Sequence, residues 1–310
     1  MTQARAAALQ LCPFSSYLEA GLAARFDVIR WYELSETQRN AWLERHAASV
    51  RAVITGGHIG CGSSLMLGLP SLKIIAVNGV GLDKVDLDCA GRRGVRIATT
   101  PGALTEDVAD LAVGLTIALL RGIPAADVFV RQGDWINGER PLARKVSGRR
   151  FGVVGLGHIG SAIAARLAPF GTVAYTSPTR KRVHYEFYAD ALALARACEV
   201  LVLACPANAA TRHLVNAAVL EALGPQGYLV NVARGSVVDE PALIAALAAG
   251  RLGGAALDVY EDEPHVPLSL RHSPRVILTP HMASATIETR IAMADMLLAS
   301  LDASGQPGSC

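Results

Sequence analysis

Three short segments of this 310-residue chain end in side chains able to act on a carbonyl group. They are Asn231-Val232-Ala233-Arg234-Gly235, Asp258-Val259-Tyr260-Glu261-Asp262-Glu263-Pro264 and Thr279-Pro280-His281-Met282-Ala283-Ser284, each following an apolar run suited to a strand. Hydride transfer to a carbonyl needs the three group types they carry. A cation polarises the oxygen and can fork onto a neighbouring carboxylate, which fits Arg234. A proton donor neutralises the alkoxide as it forms, and an acid beside a histidine orients it and raises its pKa, which fits His281 and Glu263. Singly, each has an ordinary alternative: Arg234 as a surface ion-pair residue, Glu263 as a solvated loop acid, His281 as a satisfied core histidine. Strands of one parallel sheet deliver their carboxyl ends to one crevice, and that is what would let the three meet.

A second constellation concerns what would deliver the hydride. Phe151 to Val154 is a short apolar run leading directly into Gly155-Leu156-Gly157-His158-Ile159-Gly160. In this G-x-G-x-x-G spacing Gly155 permits the tight turn, Gly157 lets the backbone approach a pyrophosphate, and Gly160 lets the next helix sit close to the strand. Ile159, Ile163 and Leu167 recur at helical spacing, Pro169 and Gly171 stop the helix, and Thr172 to Thr176 forms a second strand. Amides at the helix start would hold phosphates. An enzyme preferring NAD usually has an acid at the end of that second strand, about 20 residues on, for the ribose hydroxyls. Here Thr176 is followed by Ser177-Pro178-Thr179-Arg180-Lys181-Arg182. The missing carboxylate removes repulsion from a 2′-phosphate, and Ser177, Thr179, Arg180 and Lys181 offer donors for it. NADP(H) is therefore expected over NAD(H), with NAD(H) still possible. The ordinary alternative is a solvated basic loop.

The elements that must position these groups read as two α/β domains. Apolar runs at Ala6 to Leu11, Asp27 to Arg30, Ala52 to Thr55, Ile74 to Val77 and Val95 to Ala98 alternate with helical stretches at Tyr17 to Ala24, Thr37 to Ala48, Ser64 to Leu69 and Leu87 to Arg92. Such alternation implies a parallel sheet covered on both faces. Two glycine-rich loops, Thr55 to Gly60 and Asn78 to Gly81, follow strands of this first sheet. They read either as anion nests or as plain tight turns. Thr99-Thr100-Pro101-Gly102 is a candidate hinge. The apolar helix after it, with Val108, Leu111, Ala112, Leu115, Ile117 and Leu119, must be buried under the second sheet or against another subunit. Residues 122–149 read as a connector, whose Trp135 is either a dimer contact or core. The remaining runs give six strands for a doubly wound second sheet, and a last helix from about Ser284 to Ala303 is long enough to return to the first domain. The expected division is 1–98 plus 285–310 for a flavodoxin-like substrate domain and 99–284 for a Rossmann dinucleotide domain, with a cleft between them.

Composition narrows the class further. A formal charge of +2 with scattered basic residues offers no nucleic-acid surface, and no apolar run approaches membrane-spanning length. Cys12-Pro13 interrupts the first apolar run, so no signal segment is read and a cytoplasmic location is expected. The six cysteines, Cys12, Cys61, Cys89, Cys198, Cys205 and Cys310, form no C-x-x-C pair and read as packing thiols with no metal. Of the histidines outside the site, His158 occupies a variable place in the glycine motif, and His46 lies in an exposed helix. His58, His184, His213, His265 and His272 have no evident partner.

Taken together, the motifs G-L-G-H-I-G at 155–160, N-V-A-R-G at 231–235, D-V-Y-E-D-E-P at 258–264 and T-P-H-M-A-S at 279–284 resemble those of the D-isomer-specific 2-hydroxyacid dehydrogenases. The resemblance covers nearly the whole chain, including the spacings of 29 residues from Arg234 to Glu263 and 18 from Glu263 to His281. The Ser177 to Lys181 segment looks like that of the NADPH-preferring hydroxypyruvate/glyoxylate and hydroxyphenylpyruvate reductases, with Pro178 where those often carry Arg. The resemblance implies that Arg234 binds the carbonyl and carboxylate of a small 2-oxo acid, that His281 is the acid/base, and that Glu263 is its partner. It also implies that the amides of Val80 and Gly81 hold the carboxylate and that Asp258 bonds the nicotinamide carboxamide. Ile59 is expected to shape the substrate pocket. Cys205, Pro206, Thr211, Val232 and Ala233 are expected along the cofactor surface beside His158 and Ile159, and a homodimer through the dinucleotide domain is expected. Two rival functions stay open: a non-catalytic dinucleotide-sensing scaffold, and a same-fold dehydrogenase for a non-carboxylate substrate such as phosphite.

Overall fold

The computed structural model describes residues 5–305; Cys310 and the outermost ends of the expected first domain lie outside the described residues. Contacts divide the chain into two units. One comprises the residues up to Leu104 together with those from Ser284 onward, and the other is Thr105–Ala283.

The first unit alternates strand and helix as its sequence periodicity requires: β1 (Ala7–Gln10), α1 (Ser16–Ala23), β2 (Asp27–Arg30), α2 (Glu36–His46), β3 (Val50–Gly56), α3 (Ser63–Leu67), β4 (Ile74–Asn78), α4 (Leu87–Arg92) and β5 (Arg96–Ala98). The strands form one parallel sheet in the order β2-β1-β3-β4-β5, the flavodoxin-like winding. Helix starts are fixed by local chemistry: Ser35 and Gln38 make a reciprocal capping box at α2, and Asp86 accepts the Cys89 amide at α4. Residues 99–104 group with this unit, where the Thr100 amide donates to Gly79 O (3.0 Å).

The second unit opens with α5 (Thr105–Arg121), whose first turn carries Glu106 and Asp107 at the positive end of its dipole. Val108, Ala109, Ala112, Leu115 and Leu120 are buried in it, so the apolar helix is covered within its own unit. Residues 122–149 are more than a connector: α6 (Ile123–Arg131) and a 3-10 turn at Asp134–Asn137 form within them. Gly122 in the left-handed conformation lets a new helix begin only one residue after α5 ends. Trp135 is 66% exposed, which removes the core-packing alternative.

The sheet of this unit is built from β6 (Arg149–Val154), α7 (His158–Leu167), β7 (Gly171–Thr176), β8 (Glu186–Tyr188), α8 (Ala191–Ala197), β9 (Val200–Leu203), α9 (Ala217–Leu223), β10 (Tyr228–Asn231), α10 (Glu240–Ala248), β11 (Gly254–Leu257), α11 (Leu268–Arg271) and β12 (Val276–Leu278). The strand order β12-β11-β10-β9-β6-β7-β8 is all parallel and reverses direction of growth between β6 and β9. Its seven strands exceed the expected six by β8, a three-residue edge strand too short to show a period. α12 (Ile287–Gly305) begins three residues past the expected start and rejoins the first unit, with Ala294, Leu297, Leu298 and Leu301 packed against Ala76 and Ala98. No single helix among the described residues is long and apolar enough to cross a membrane. α5 and α6 meet that test only as a pair bent by 60°.

Candidate active site

In a doubly wound sheet the ligand crevice opens at the carboxyl edge where strand order reverses. The glycine turn follows β6 and Cys205-Pro206 follows β9, so the two flank that point. Gly155 has φ +90°, a conformation that side chains resist, and a Cβ there would lie 2.7 Å from Cys205 Cα. Its amide donates to Thr176 O (2.8 Å), which ties the end of β7 to the turn. At Gly160 a Cβ would overlap Gly155 O, whereas at Gly157 it would enter open space. The N-cap Gly157 offers no side-chain hydrogen bond to the first turn of α7, where His158, Ile159 and Gly160 lie. A pyrophosphate therefore fits this cradle: backbone can approach it closely and the helix dipole favours its charge.

Beyond β7, the Ser177 hydroxyl donates to Thr179 O (2.7 Å) and the Lys181 amide donates to the buried Tyr175 hydroxyl (2.7 Å). These bonds shape the loop while Thr179, Arg180 and Lys181 remain exposed. Arg180, Lys181 and Arg182 border an open hollow of about 810 Å³ with Val183, His184 and Tyr185. Across the switch point, Cys205 is buried, and burial pushes its thiol up to about 11, so it packs as a neutral group. Thr211 turns inward on its own loop: its hydroxyl donates to Pro206 O (2.7 Å) and accepts the Asn208 amide (2.9 Å). Val232 and Ala233 are buried beneath the end of β10.

Arg234, Glu263 and His281 follow β10, β11 and β12, which are neighbours in register, and the fold brings them together. The Asn231 side chain organises the first segment, accepting the Ala233 amide (3.0 Å) and donating to Arg234 O (3.0 Å). His281 Nδ1 lies 2.7 Å from Glu263 Oε2, and Glu263 Oε1 accepts the Tyr260 amide (3.0 Å). Burial pushes the Glu263 carboxyl upward, but the hydrogen bond and charge of His281, the Tyr260 amide and the charge of Arg234 outweigh it and hold the pKa below the usual value. An ionised carboxylate only accepts, so Nδ1 carries a hydrogen and Nε2 is the ring nitrogen outside this pair. The side chain of His281 is about one-third exposed.

Several contributors were not legible beforehand. Gly235 is one: a Cβ there would overlap Tyr260 C and O, so the backbone after β11 runs directly across the residue next to Arg234. The buried Tyr260 hydroxyl bridges Thr279 O (2.9 Å) and Leu257 O (3.1 Å). His213 has a partner after all: Glu261 lies 3.1 Å from its Nε2 and also accepts from Arg212 (2.9 Å), pinning the segment two residues before Glu263. His265 lies 3.5 Å from Asp262. The Asp258 carboxylate, fully buried, accepts the Thr279 hydroxyl (2.6 Å) and the amides of Met282 (2.9 Å) and Ala283 (3.0 Å), while its carbonyl accepts the His281 amide (2.8 Å). These bonds hold His281 at φ +50°. Val80, Gly81 and Ile59 sit at the carboxyl edge of the first unit's sheet, with Val80 and Ile59 exposed.

Residues 113–283 match the NAD-binding domain of the D-isomer specific 2-hydroxyacid dehydrogenases. The chain is 47% identical over 297 residues to glyoxylate/hydroxypyruvate reductase A of Arabidopsis thaliana, covering 95% of this chain and 94% of that protein. It is 45% identical over 303 residues to hydroxyphenylpyruvate reductase of Plectranthus scutellarioides, covering 96% of each. Among solved structures, an NADPH-dependent glyoxylate/hydroxypyruvate reductase from Sinorhizobium meliloti in complex with NADP and malonate superposes with a TM-score of 0.88 at 38% identity, over 97% of this chain and 93% of that one. A 2-hydroxyacid dehydrogenase from Ketogulonicigenium vulgare superposes at 0.90 with 44% identity, over 98% and 97% of the two chains. Motifs, winding and relatives agree: the chain is an oxidoreductase belonging to the D-isomer specific 2-hydroxyacid dehydrogenase family.

Proposed function

We propose that this protein reduces a small 2-oxo acid of the glyoxylate or hydroxypyruvate type to the D-2-hydroxy acid with NADPH. The observation that carries the reading is the Glu263–His281 pair, at 2.7 Å, on the strand ends beside Arg234. Reduced nicotinamide, when bound, would supply the hydride. Arg234 draws the carbonyl oxygen by charge and steadies the adjoining carboxylate. The amides of Val80 and Gly81 take that carboxylate, and Ile59 borders the substrate. His281 gives the proton on Nε2 to the developing alkoxide, and Glu263 stays ionised to stabilise the imidazolium that precedes the transfer. Asp258 sets the loop of His281, its buried carboxylate accepting from Thr279, Met282 and Ala283.

On the cofactor side, Gly155, Gly157, His158, Ile159 and Gly160 would hold the pyrophosphate, and Cys205, Pro206, Thr211, Val232 and Ala233 would line the crevice. Ser177, Thr179, Arg180 and Lys181 would receive the 2′-phosphate. Two facts support NADPH over NADH: no acid follows Thr176, and the structure of the relative from Sinorhizobium meliloti holds NADP. The exposed apolar arm of Ile123, Val128, Val130, Trp135, Ile136 and Leu142 supports a homodimer formed through the dinucleotide domain.

The test is NADPH oxidation with glyoxylate, hydroxypyruvate and phenylpyruvate. His281→Ala is expected to lower turnover about 10²-fold or more. Near-normal rates in that variant remove its assigned role, and no turnover of any 2-oxo acid by the parent protein removes the proposal.

A further inference from the structure

Residues 177–182 leave the end of β7 carrying the side chains assigned above to the 2′-phosphate, yet their own backbone does little to hold them. Among the described residues, no backbone–backbone hydrogen bond involves them. The segment is fixed instead at its two ends. Where it departs, Thr176 O accepts the Gly155 amide (2.8 Å), which sets the exit from β7 against the glycine turn. Where it returns, the Tyr175 hydroxyl holds Lys181 twice, accepting its amide (2.7 Å) and donating to its carbonyl (3.2 Å).

Tyr175 is well placed to do this. It pairs with Val153 of β6 and Phe187 of β8, is entirely buried, and packs at 5.5 Å against the Phe187 ring. The core therefore fixes the ring, and only the polar tip is left to reach the segment. A phenolic hydroxyl has one hydrogen to give and lone pairs to accept with, and Lys181 engages it both ways. Among the described residues these are the only hydrogen bonds that tie 177–182 to the sheet. The other one in the segment, from the Ser177 hydroxyl to Thr179 O, is internal.

Thr179 and Arg180 lie between the two anchored ends. Donors on a loose segment have to be ordered when the ligand arrives, and the cost of ordering subtracts from affinity. A segment clasped in advance has met that cost on folding. NADH has no 2′-phosphate and gains nothing from these donors, so the clasp favours one cofactor and not the other.

We propose that Tyr175 is a positioning residue for cofactor choice: its hydroxyl clasps Lys181 and so holds Thr179 and Arg180 where they take the 2′-phosphate of NADPH. The inference rests on the reading of this protein as NADPH-preferring.

The experiment compares the full-length protein with Tyr175→Phe, which keeps the buried ring and removes only the hydroxyl; thermal unfolding checks that the fold is retained. With glyoxylate as substrate, kcat/KM for NADPH should fall about tenfold while that for NADH stays within about twofold. Calorimetric titration should show adenosine 2′,5′-bisphosphate bound about tenfold more weakly and 5′-AMP bound as before. Trypsin, which cuts after Arg and Lys, should nick the segment at Arg180, Lys181 or Arg182 sooner in the variant. A parent that prefers NADH overturns the cofactor reading and the role of Tyr175 with it. A parent that prefers NADPH, with a variant that keeps the same ratio, overturns the role of Tyr175 alone. Equal losses with both cofactors, an unchanged affinity for the bisphosphate, or nicking no faster than in the parent likewise overturn it and leave Tyr175 as core packing.

Discussion

Gly235→Ala tests whether the site depends on how its segments interlock. A Cβ at this position would overlap Tyr260 C and O and crowd Glu261 N, all of them backbone atoms with no flexible side chain to swing aside. Reaching an ordinary contact of 3.4 Å from 1.9 Å requires the Tyr260 carbonyl to retreat by about 1.5 Å, an overpacking that costs about 1–3 kcal/mol of stability. The larger effect is on geometry. Tyr260 N anchors Glu263 Oε1, and Glu263 Oε2 anchors His281 at 2.7 Å, so the displacement passes directly to the proton donor. A misplacement of about 1 Å costs on the order of 10²-fold in rate. Steady-state kinetics with glyoxylate and NADPH should therefore show kcat down about 10²-fold. NADPH affinity, measured by fluorescence titration, should be nearly unchanged, because the glycine turn of 155–160 lies on other strands. A variant with kcat within twofold of the parent would show that Tyr260 and Glu263 are not rigidly coupled, and the reasoning would fail.

Three further outcomes follow from the same geometry. Glu263 has a folded-state pKa below its usual 4.5, so the stability drawn from the Glu263–His281 pair is fully present above that value and is lost as pH falls through the folded one. The gap in Tm between parent and Glu263→Gln should accordingly narrow only below about pH 4.5; a gap constant from neutral to acid pH contradicts the charge-based account. Arg180→Ala should lower the kcat/KM ratio of NADPH to NADH by about tenfold through loss of a charge-assisted hydrogen bond, whereas equal losses with both cofactors would reduce Arg180 to a general contact. Ile136, 91% exposed, should be a centre of the dimer interface, so Ile136→Glu should shift the light-scattering mass toward the monomer; an unchanged mass places the interface elsewhere.

Much of the second unit was readable because its signals are local. The apolar strand before Gly155 and the periodic helix after it carry their structure in consecutive residues, and β6, α7 and β7 stand where the pattern puts them. That Arg234, Glu263 and His281 come together was readable because strand ends on one parallel sheet converge. What escaped depends on contacts between segments far apart in the chain. Glu186-Phe187-Tyr188 becomes a strand only because β7 lies beside it, and His213 acquires a partner only because Glu261 folds across from it. Gly235 reads as the tail of a motif until the path of Tyr260 explains why no side chain fits there. The orphaned oxygens of Asn78 and Thr100 have no sequence signature at all, since being unsatisfied is a property of the packed state.

The return of α12 to the first unit has a consequence for how the protein matures as it leaves the ribosome. The second unit is continuous, Thr105–Ala283, and all its strands have been synthesised before α12 emerges. The first sheet is made earlier, yet the face of Ile54, Ile74, Ala76 and Ala98 is only partly covered, by Leu18 and Leu22 of α1, until Ala294, Leu297 and Leu301 arrive. The half translated first is therefore the half completed last, and during that interval its open apolar face is the surface a chaperone would meet.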